Sequence, residues 1–588
     1  MTRALLRVFI GLFPCLLLYS CQPSETAAPP NVIFILTDDQ GWGDIGAHGN
    51  TLVETPVLDQ FITESASFNK FYVSPLCAPS RASFLSGRYH LRTGTVSVSQ
   101  GMERMRPSEI TIAELLKDAG YATGCFGKWH NGSNYPENPQ GQGFQRFVGF
   151  SAGHWNNYFD TELEYDGQFR KSSGYISDVI TDESLAFIEE NGDGPFFCYI
   201  PYNAPHGPFQ VPDAYFNKYR EKELDDRLAA IYAMVENLDH NIGRILQKLR
   251  DLGLSKNTIV IFATDNGPNG QRYNGNMKGW KGKVDEGGVR VPFIVRWPGK
   301  IAAGYQIEPA GSHIDFLPTV MDLVGLSLPQ DIDGISLAPV LLQEEDQIPQ
   351  RTIYTHVNFM TELYPYPGAV RDGRYLLTVK EDGNELFDLF GDPGQEDNLI
   401  NEIPKVAREL LSKYHSWFQE VTRETGTKPP IPAGHLEFPQ VSLYPQEAMG
   451  ITDSLQYQEG HGWAHDWLVN WKSPEDSVWW PLQLAEPTTY QVFMEYTVPD
   501  TDLGGQVLVR AGQQEINATI TRAFDPDYIP SPDRVPRIEV YEKEWARLEI
   551  GSVTLPAGRL QVVLKALEVP GSQVCEFRRL LLVKNEEI

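Results

Sequence analysis

Asn31-Val-Ile-Phe-Ile-Leu-Thr37 is an uninterrupted apolar run that ends directly in Asp38-Asp39-Gln40-Gly41. Such a run is typical of a central parallel strand that is buried on both faces of a sheet. A helix is predicted over 111–119, closed by Gly120, and apolar residues at helical spacing predict another over 224–249. Further strand-like runs cover 196–200, 258–263 and 291–297. Strands that alternate with helices predict an α/β sandwich.

Polar pairs stand where two of these predicted strands end. Asp38-Asp39 follows the first run, and Asp265-Asn266 follows the run over 258–263. Because ligand sites of open α/β sheets lie at the carboxyl ends of strands, we expect both pairs in one site. Acid pairs in loops are most often merely solvated, but these offer several hard oxygen ligands, which suit calcium or magnesium. Calcium is favoured because protein oxygens can supply most of its coordination sphere.

The bulk composition limits the possible partners. The chain has 588 residues, too many for one core, so two domains are expected. Its formal net charge of −28 argues against a nucleic acid partner, because phosphate binding needs a basic surface. An enzyme with this charge that acts on anions needs positive charge concentrated in its site.

Residues 1–21 have the features of a signal peptide. Arg3 and Arg7 precede an apolar run over 8–18 that is too short to span a bilayer. Leu18-Tyr19-Ser20-Cys21 resembles a bacterial lipobox, which predicts a membrane anchor through a lipid on Cys21. Tyr19 is bulkier than the usual residue there, so simple secretion stays open. We expect an exported bacterial protein in the periplasm, on the outer membrane as a lipoprotein, or at the cell surface.

Two linkers divide the chain after the predicted signal peptide into two predicted domains. A short linker over 22–30 precedes a first domain over 31–425, and prolines mark a second linker over 426–450. Residues 451–588 hold short alternating strands separated by turns, which predict a β-sandwich or jelly roll. The first third of this domain is rich in tryptophan. Such residues more often form the core of a small sandwich than a carbohydrate-binding surface: Trp463, Trp467, Trp471, Trp479 and Trp480.

Cys77 differs from the other cysteines, which lie in the signal or in apolar surroundings, because it begins the polar run Cys77-Ala-Pro-Ser-Arg81. With Thr93-Gly94 downstream, this run resembles the hallmark of the type I, formylglycine-dependent sulfatases of the alkaline phosphatase superfamily. The resemblance spans about 31–425 and includes the segments 127–130, 205–206, 265–267 and 281–288. Within the family, the chain resembles bacterial polysaccharide sulfatases. It implies an α/β fold: a mixed sheet flanked by helices and a small C-terminal antiparallel subdomain, followed by the extra all-β domain.

The resemblance also implies a chemistry for Cys77. A formylglycine-generating maturation enzyme oxidises it to 3-oxoalanine, whose aldehyde hydrates to a geminal diol. One diol oxygen attacks sulfur and displaces the substrate's alcohol, which leaves the sulfate covalently bound to residue 77; the second hydroxyl then loses its proton and expels sulfate, which restores the aldehyde. One Ca²⁺ is implied per site, and its ligands by match of position are Asp38, Asp39, Cys77, Asp265 and Asn266.

The remaining site roles follow the same match. Arg81 is implied to orient the diol and to neutralise charge beside the metal. Lys128 and Lys281 are implied to hold sulfate oxygens in the transition state. His130 is implied to accept the proton of the second hydroxyl, and His206 to protonate the leaving alkoxide.

Substrate contacts are weaker inferences. His154 and Trp155 belong to a polar and aromatic cluster that suits a sugar, although a structured loop explains it equally well. Arg92 and Arg272 are candidate contacts at the rim of the site. Lys281 is chosen over Lys283 because the family's lysine usually lies five residues before the glutamate of Glu-Gly-Gly; Lys283 is expected to be structural or to face solvent.

The sequence therefore predicts hydrolysis of sulfate monoesters, with a sulfated glycan as substrate. Two alternatives stay open. One is a phosphate or phosphonate ester hydrolase of the same superfamily. The other is a catalytically dead, lipid-anchored glycan-binding protein.

Overall fold

The computed structural model describes residues 28–359, 362–426 and 428–584. The predicted signal peptide and Cys21 lie outside these residues. Within the described ranges no helix has both the length and the apolarity that crossing a bilayer requires.

The first part of the chain alternates strands and helices. Its strands are β1 (Asn31–Thr37), β2 (Ala66–Phe68), β3 (Phe71–Tyr72), β4 (Ala122–Lys128), β5 (Arg146–Phe150), β6 (Glu162–Tyr165), β7 (Gln168–Lys171), β8 (Phe196–Pro201), β9 (Thr258–Thr264), β10 (Phe293–Arg296), β11 (Tyr305–Ile307), β12 (Gly311–Ser312), β13 (Thr352–His356), β14 (Gly368–Asp372), β15 (Tyr375–Val379) and β16 (Glu385–Asp388). Its helices are α1 (Pro56–Thr63), α2 (Cys77–Ser86), α3 (His90–Thr93), α4 (Ile112–Asp118), α5 (Ile176–Glu190), α6 (Asp213–Arg220), α7 (Asp226–Asp251), α8 (Glu286–Val289), α9 (Phe316–Leu323), α10 (Ala338–Leu341) and α11 (Pro404–Val421).

β1 occupies the middle of a ten-stranded mixed sheet with the order β11-β2-β10-β9-β1-β8-β4-β5-β6-β7. Its neighbours β8 and β9 both run parallel to it, while β10 is antiparallel to β9. Ile33 and Ile35 pack into the core under α1, α5 and α7, and Phe34 packs into the core under α2, α4 and α9. Both faces of β1 are therefore covered, which explains its uninterrupted apolar sequence and confirms the predicted α/β fold.

A small antiparallel sheet closes the first domain. It has the order β13-β14-β15-β16, and α11 packs on it through Leu410, Tyr414 and Trp417. This sheet is the C-terminal antiparallel subdomain that the resemblance implied.

The second domain is all-β, as predicted. Its strands are β17 (Ile431–Ala433), β18 (Gln440–Leu443), β19 (Gly450–Ile451), β20 (Gln456–Tyr457), β21 (Leu468–Val469), β22 (Ser477–Leu484), β23 (Thr488–Thr497), β24 (Gln506–Ala511), β25 (Gln514–Thr519), β26 (Ala546–Leu555), β27 (Gly558–Glu568) and β28 (Glu576–Lys584). They form two six-stranded sheets around a shared core that contains Trp471 and Trp480. Strands β17 and β18 lie inside 426–450, which differs from the plain linker expected there.

Candidate active site

Four neighbouring strands of the main sheet deliver the polar residues of one site. Asp38 follows β1, Lys128 ends β4, His206 lies in the loop after β8, and Asp265 follows β9. Because these strands are parallel, their carboxyl ends meet at one edge of the sheet. Asp38, Lys128 and Asp265 are fully buried there.

A set of oxygen and sulfur atoms converges at this edge. One ligand atom each from Asp38, Cys77 and Asp265 lie within 4.8 Å of one another. Asp38 Oδ1 and Asn266 Oδ1 are buried without a hydrogen-bond partner. An orphaned buried acceptor costs roughly 1–3 kcal/mol. Buried oxygen atoms that lack a hydrogen-bond partner are suitable ligands for a hard cation.

Asp39 is locked in place by three neighbours. Its φ of 64° lies in the left-handed region, which an aspartate tolerates better than most residues. Asn266 Nδ2 donates to Asp39 Oδ1 at 2.8 Å, and the Asp39 amide donates to Asp265 Oδ1 at 3.2 Å. Lys281 Nζ lies 2.7 Å from Asp39 Oδ1. The unusual backbone turn thus directs the carboxylate toward the other acids.

Cys77 is the first residue of α2, and not part of a loop. Every residue of α2 is buried, so the run Cys77-Ala-Pro-Ser-Arg81 forms a rigid first turn. Arg81 projects one turn further on and donates to Asp265 Oδ2 through Nη2 at 2.8 Å and through Nε at 3.1 Å. Its Nη1 donates to Lys128 O at 2.7 Å, which ties α2 to the end of β4.

The charges of this cluster balance. Three carboxylates, Asp38, Asp39 and Asp265, stand against three cations, Arg81, Lys128 and Lys281. Lys128 Nζ forms its ion pair with Asp38. A divalent cation added to this neutral set would make the site positive, and so attractive to a sulfate ester.

Two histidines, His130 and His206, face the cluster and differ in their contacts. Burial, followed by the charge of Lys128, holds the pKa of His130 well below its ordinary value, so the ring is neutral. His130 Nε2 lies 2.8 Å from Val98 O and must carry the proton there, which leaves the buried, unpartnered Nδ1 as a free acceptor. His206 Nδ1 lies 2.7 Å from Gly207 O, and its Nε2 lies 3.7 Å from Asp39 Oδ2. His206 is half-buried.

The two lysines of the segment before α8 differ in their contacts. Burial alone would lower the pKa of Lys281, but the nearby Asp39 carboxylate raises it above its ordinary value. Lys281 therefore stays charged. Lys283 Nζ lies over the Trp280 ring, 5.8 Å from its centroid. The structure places Lys281 in the cluster and Lys283 outside it.

The candidate substrate contacts separate into two groups. The His154 ring lies parallel to the His206 ring at 6.4 Å, and Trp155 lies beside it. His465 of the second domain packs edge-on against Trp155 at 4.7 Å, and its Nε2 lies 3.1 Å from His154 O. His465 was not among the predicted site residues, because it follows His154 by 311 positions and no local pattern marks it.

The two arginines expected at the rim both form ion pairs with acids of the first domain. Arg92 forms ion pairs with Asp333 at 3.1 Å and with Glu420 at 2.6 Å. Arg272 is buried, with Nη2 2.6 Å from Asp44 Oδ2 and 2.8 Å from Asp39 O. Arg272 therefore supports the Asp39 turn from behind.

Comparisons with known proteins agree with this geometry. The family model described as Sulfatase matches residues 30–326, and the model described as N-sulphoglucosamine sulphohydrolase, C-terminal, matches residues 279–423. The chain belongs to the sulfatase family. Human arylsulfatase A is 31% identical, over 67% of this chain and 88% of the relative.

Mouse N-acetylgalactosamine-6-sulfatase is 34% identical over 54% of this chain, which spans 66% of that enzyme, just under two thirds of its length. Among solved structures, "Ps i-CgsB in complex with k-i-k-neocarrahexaose" matches with a TM-score of 0.63 and 26% identity. The match covers 68% of this chain and 94% of that one.

Proposed function

We propose that this chain hydrolyses sulfate monoesters on a sulfated glycan, with a formylglycine made from Cys77 and one Ca²⁺. The observation that carries the proposal is the position of Cys77. It opens the buried helix α2 within 4.8 Å of carboxylate oxygens of Asp38 and Asp265, and Arg81 of the same helix binds Asp265. A cysteine held between acids and cations is poised for chemistry, and not for packing.

The donor set supports calcium. Asp38, Asp39, Asp265 and Asn266 would hold the ion through carboxylate and amide oxygens, together with the modified residue 77. The partnerless Asp38 Oδ1 and Asn266 Oδ1 are acceptors that such an ion would satisfy. When bound, Ca²⁺ supplies Lewis-acid polarisation of the sulfate group.

The modified residue 77 would supply a hydrated aldehyde, whose oxygen is the nucleophile and whose second hydroxyl allows sulfate to leave. Arg81 orients residue 77 because its guanidinium is fixed by Asp265 and by Lys128 O. Lys128 and Lys281 present ammonium groups to sulfate oxygens, where charge builds in the transition state. Their ion pairs with Asp38 and Asp39 hold them in position before substrate arrives.

The two histidines divide the proton transfers. His130 accepts a proton at its free Nδ1, since Nε2 is held by Val98 O. His206 donates a proton from Nε2 to the leaving sugar oxygen, which as an alkoxide is a poor leaving group. The Nδ1–H of His206 donates to Gly207 O at 2.7 Å, which keeps that proton on the ring.

The proposed substrate class is a sulfated carbohydrate, as in the names of the relatives. The proposed location is outside the cytoplasm, in the periplasm, on the outer membrane through a lipid on Cys21, or at the cell surface. The proposed partner that makes this chemistry possible is a formylglycine-generating maturation enzyme that acts on Cys77.

The test is a mass spectrum of the Cys77 peptide after co-expression with a formylglycine-generating enzyme. We expect loss of the thiol and gain of an aldehyde at Cys77, while the buried Cys125 and Cys198 remain thiols as internal controls. The matured protein should hydrolyse an aryl sulfate faster than the matching aryl phosphate, and Cys77→Ala should abolish both activities without changing the circular dichroism spectrum. Faster aryl phosphate turnover would favour the phosphohydrolase alternative, and an unmodified, inactive Cys77 would favour the glycan-binding alternative.

A further inference from the structure

A cleft of about 550 Å³ separates the first domain from the β-sandwich. This volume is within the range of roughly 300–1,000 Å³ that is usual for ligand sites. Val98 and Gly153 line the cleft, and both lie against His130. The cleft therefore ends against the residues that contact the buried His130 of the proposed active site.

The β-sandwich wall of this cleft carries an arginine trio, Arg547, Arg578 and Arg579, around Glu495. The guanidinium nitrogens lie 3.1, 3.2 and 2.8 Å from carboxylate oxygens of Glu495. Although burial opposes ionisation, Arg579 and Arg578 lower the pKa of Glu495 to about 2, so this residue stays a carboxylate. One carboxylate among three guanidinium groups leaves a net positive charge, which Glu542 near Arg578 reduces in part.

Two members of the trio face the open cleft. The side chains of Arg547 and Arg578 are 52% and 24% exposed, while that of Arg579 is 10% exposed. Arg579 is also fixed by Tyr444 Oη at 2.8 Å. Arg547 and Arg578 thus keep guanidinium surface free for an incoming anion, in a chain whose net charge is −28.

An aromatic surface adjoins the trio. Trp545 is half-buried and lines the cleft, with the Arg578 guanidinium 5.9 Å from its ring centroid. Trp467 packs edge-on beneath it at 5.1 Å. Across the cleft, Trp155 lies beside His154 of the active site. Aromatic faces beside hydrogen-bonding groups are suited to the apolar faces of sugar rings.

The other walls of the cleft carry carboxylates, Glu103, Glu162, Glu164, Glu447 and Glu542, so its positive charge is confined to the wall with the arginine trio. Burial raises the pKa of Glu164 to about 7, which reduces its negative charge. Glu542 accepts a hydrogen bond from Asn157 Nδ2 at 2.5 Å and is directed to the first domain. An anionic group in the cleft is therefore attracted most strongly to Arg547 and Arg578.

We infer that the β-sandwich is one wall of the substrate site, and that its arginine trio binds a second anionic substituent of the glycan, sulfate or carboxylate, away from the sulfate that is hydrolysed. This inference rests on the proposed function. Its substrate is a saccharide with at least two anionic groups, whose ring beyond the scissile sulfate lies near Trp545.

The test measures binding by calorimetry with two polysulfated probes, a neocarrahexaose and a sulfated glycosaminoglycan tetrasaccharide. The variant is Arg547→Gln/Arg578→Gln, and the matched control is Arg510→Gln, an exposed arginine of β24 outside the cleft. For the probe that the wild type binds more tightly, we expect Kd to rise about tenfold in the double variant, since two charge-assisted contacts are lost. The control, and hydrolysis of a small aryl sulfate by the double variant, should equal wild type.

Two results would overturn the inference. In one, neither polysulfated probe binds wild type more tightly than a monosulfated monosaccharide. In the other, the double variant keeps the wild-type Kd for both probes. Failure of the wild type to hydrolyse aryl sulfate would instead contradict the proposed function, and the calorimetric comparison would still decide the role of the trio.

Discussion

Lys281 and Lys283 are separated by one residue and provide a sharp test of the sulfate pocket. Lys281 contacts Asp39 at 2.7 Å, whereas Lys283 lies over Trp280. Lys281→Met should lower kcat for an aryl sulfate by about 100-fold or more, the usual cost of one lost transition-state donor. Lys283→Met should stay close to wild type in the same steady-state assay. Equal losses in both variants would remove Lys281 from the proposed pocket.

At this scale, the sequence predicted residues that a short motif or a strand end marks. Asp38 and Asp265 were predicted because each follows a buried strand, and Cys77 because its motif is local. Arg272 could not be placed, because its partner Asp44 is 228 positions away and the pairing depends on tertiary packing. His465 could not be predicted either, because it contacts His154 from the other domain and the two residues are 311 positions apart.

One segment of the second domain clamps the loops that carry His154 and His206. Arg537 Nη1 donates to Asn156 O at 2.7 Å, and its Nε donates to Asp533 Oδ2 at 2.7 Å. Asp533 Oδ1 in turn accepts from Gln210 Nε2 at 2.8 Å. This chain of bonds runs from the segment 531–537 to both loops of the first domain.

Arg537→Ala should therefore loosen both loops. Because the side chain is 1% exposed, its loss also leaves Asp533 with an uncompensated charge. We expect kcat/KM for an aryl sulfate to fall about tenfold through misplaced His206, together with a lower Tm in a thermal scan. Arg522→Ala is the control, since Arg522 lies over Phe524 of its own domain. Unchanged kinetics in Arg537→Ala would show that the clamp does not position the histidine.

Elements with strong apolar patterns were predicted well, and edge strands were not. The helix expected over 224–249 is α7, and its N-cap Asp225 accepts from Leu228 N. The proline-rich stretch 426–450 was expected to be a linker, yet β17 contains Pro432 and pairs with β22. Proline is tolerated there because β17 is at the edge of its sheet, where one side of the strand needs no partner.

Glu495 on β23 predicts a pH-dependent stability of the β-sandwich. Its pKa is lowered to about 2 in the folded state, so its contribution is complete above the ordinary value of 4.5 and is lost as pH falls toward 2. The shift corresponds to about 3 kcal/mol. In urea unfolding, the free-energy difference between wild type and Glu495→Gln should be largest at pH 7 and shrink at pH 3. A constant difference would mean that the ion pairs add nothing.

On the scale of the whole molecule, the negative net charge and the positively charged arginine trio act at different ranges. The charge of −28 repels a polyanion at a distance, while the arginine trio attracts it at contact. Salt screens the first more than the second, because the repelling charges are exposed and spread over the surface. Neither domain supplies this arrangement alone, since the trio lies in one and the proposed active site in the other. Composition revealed the net charge, but the cleft depends on contacts between residues hundreds of positions apart.

Metal removal should destabilise the first domain, because the proposed ligands join the ends of two central strands, β1 and β9, to the start of helix α2. The three carboxylates are buried at the ends of β1 and β9, so a divalent ion that binds them in the folded state alone stabilises that state. Ca²⁺ at 100 times its Kd adds about 3 kcal/mol, which should appear as a Tm several degrees higher than in EGTA.

Asp265→Asn should abolish this calcium-dependent rise in Tm along with aryl sulfate hydrolysis, since it removes a ligand and the main partner of Arg81. The control is Asp388→Asn, an acid on β16 that pairs with Arg374 and should keep the full response. Mg²⁺ should restore less stability than Ca²⁺, because it demands near-octahedral geometry and retains water. An equal Tm in EGTA and in Ca²⁺ would contradict a calcium site at the sheet edge, since an ion that binds only the folded state must increase the free energy of unfolding.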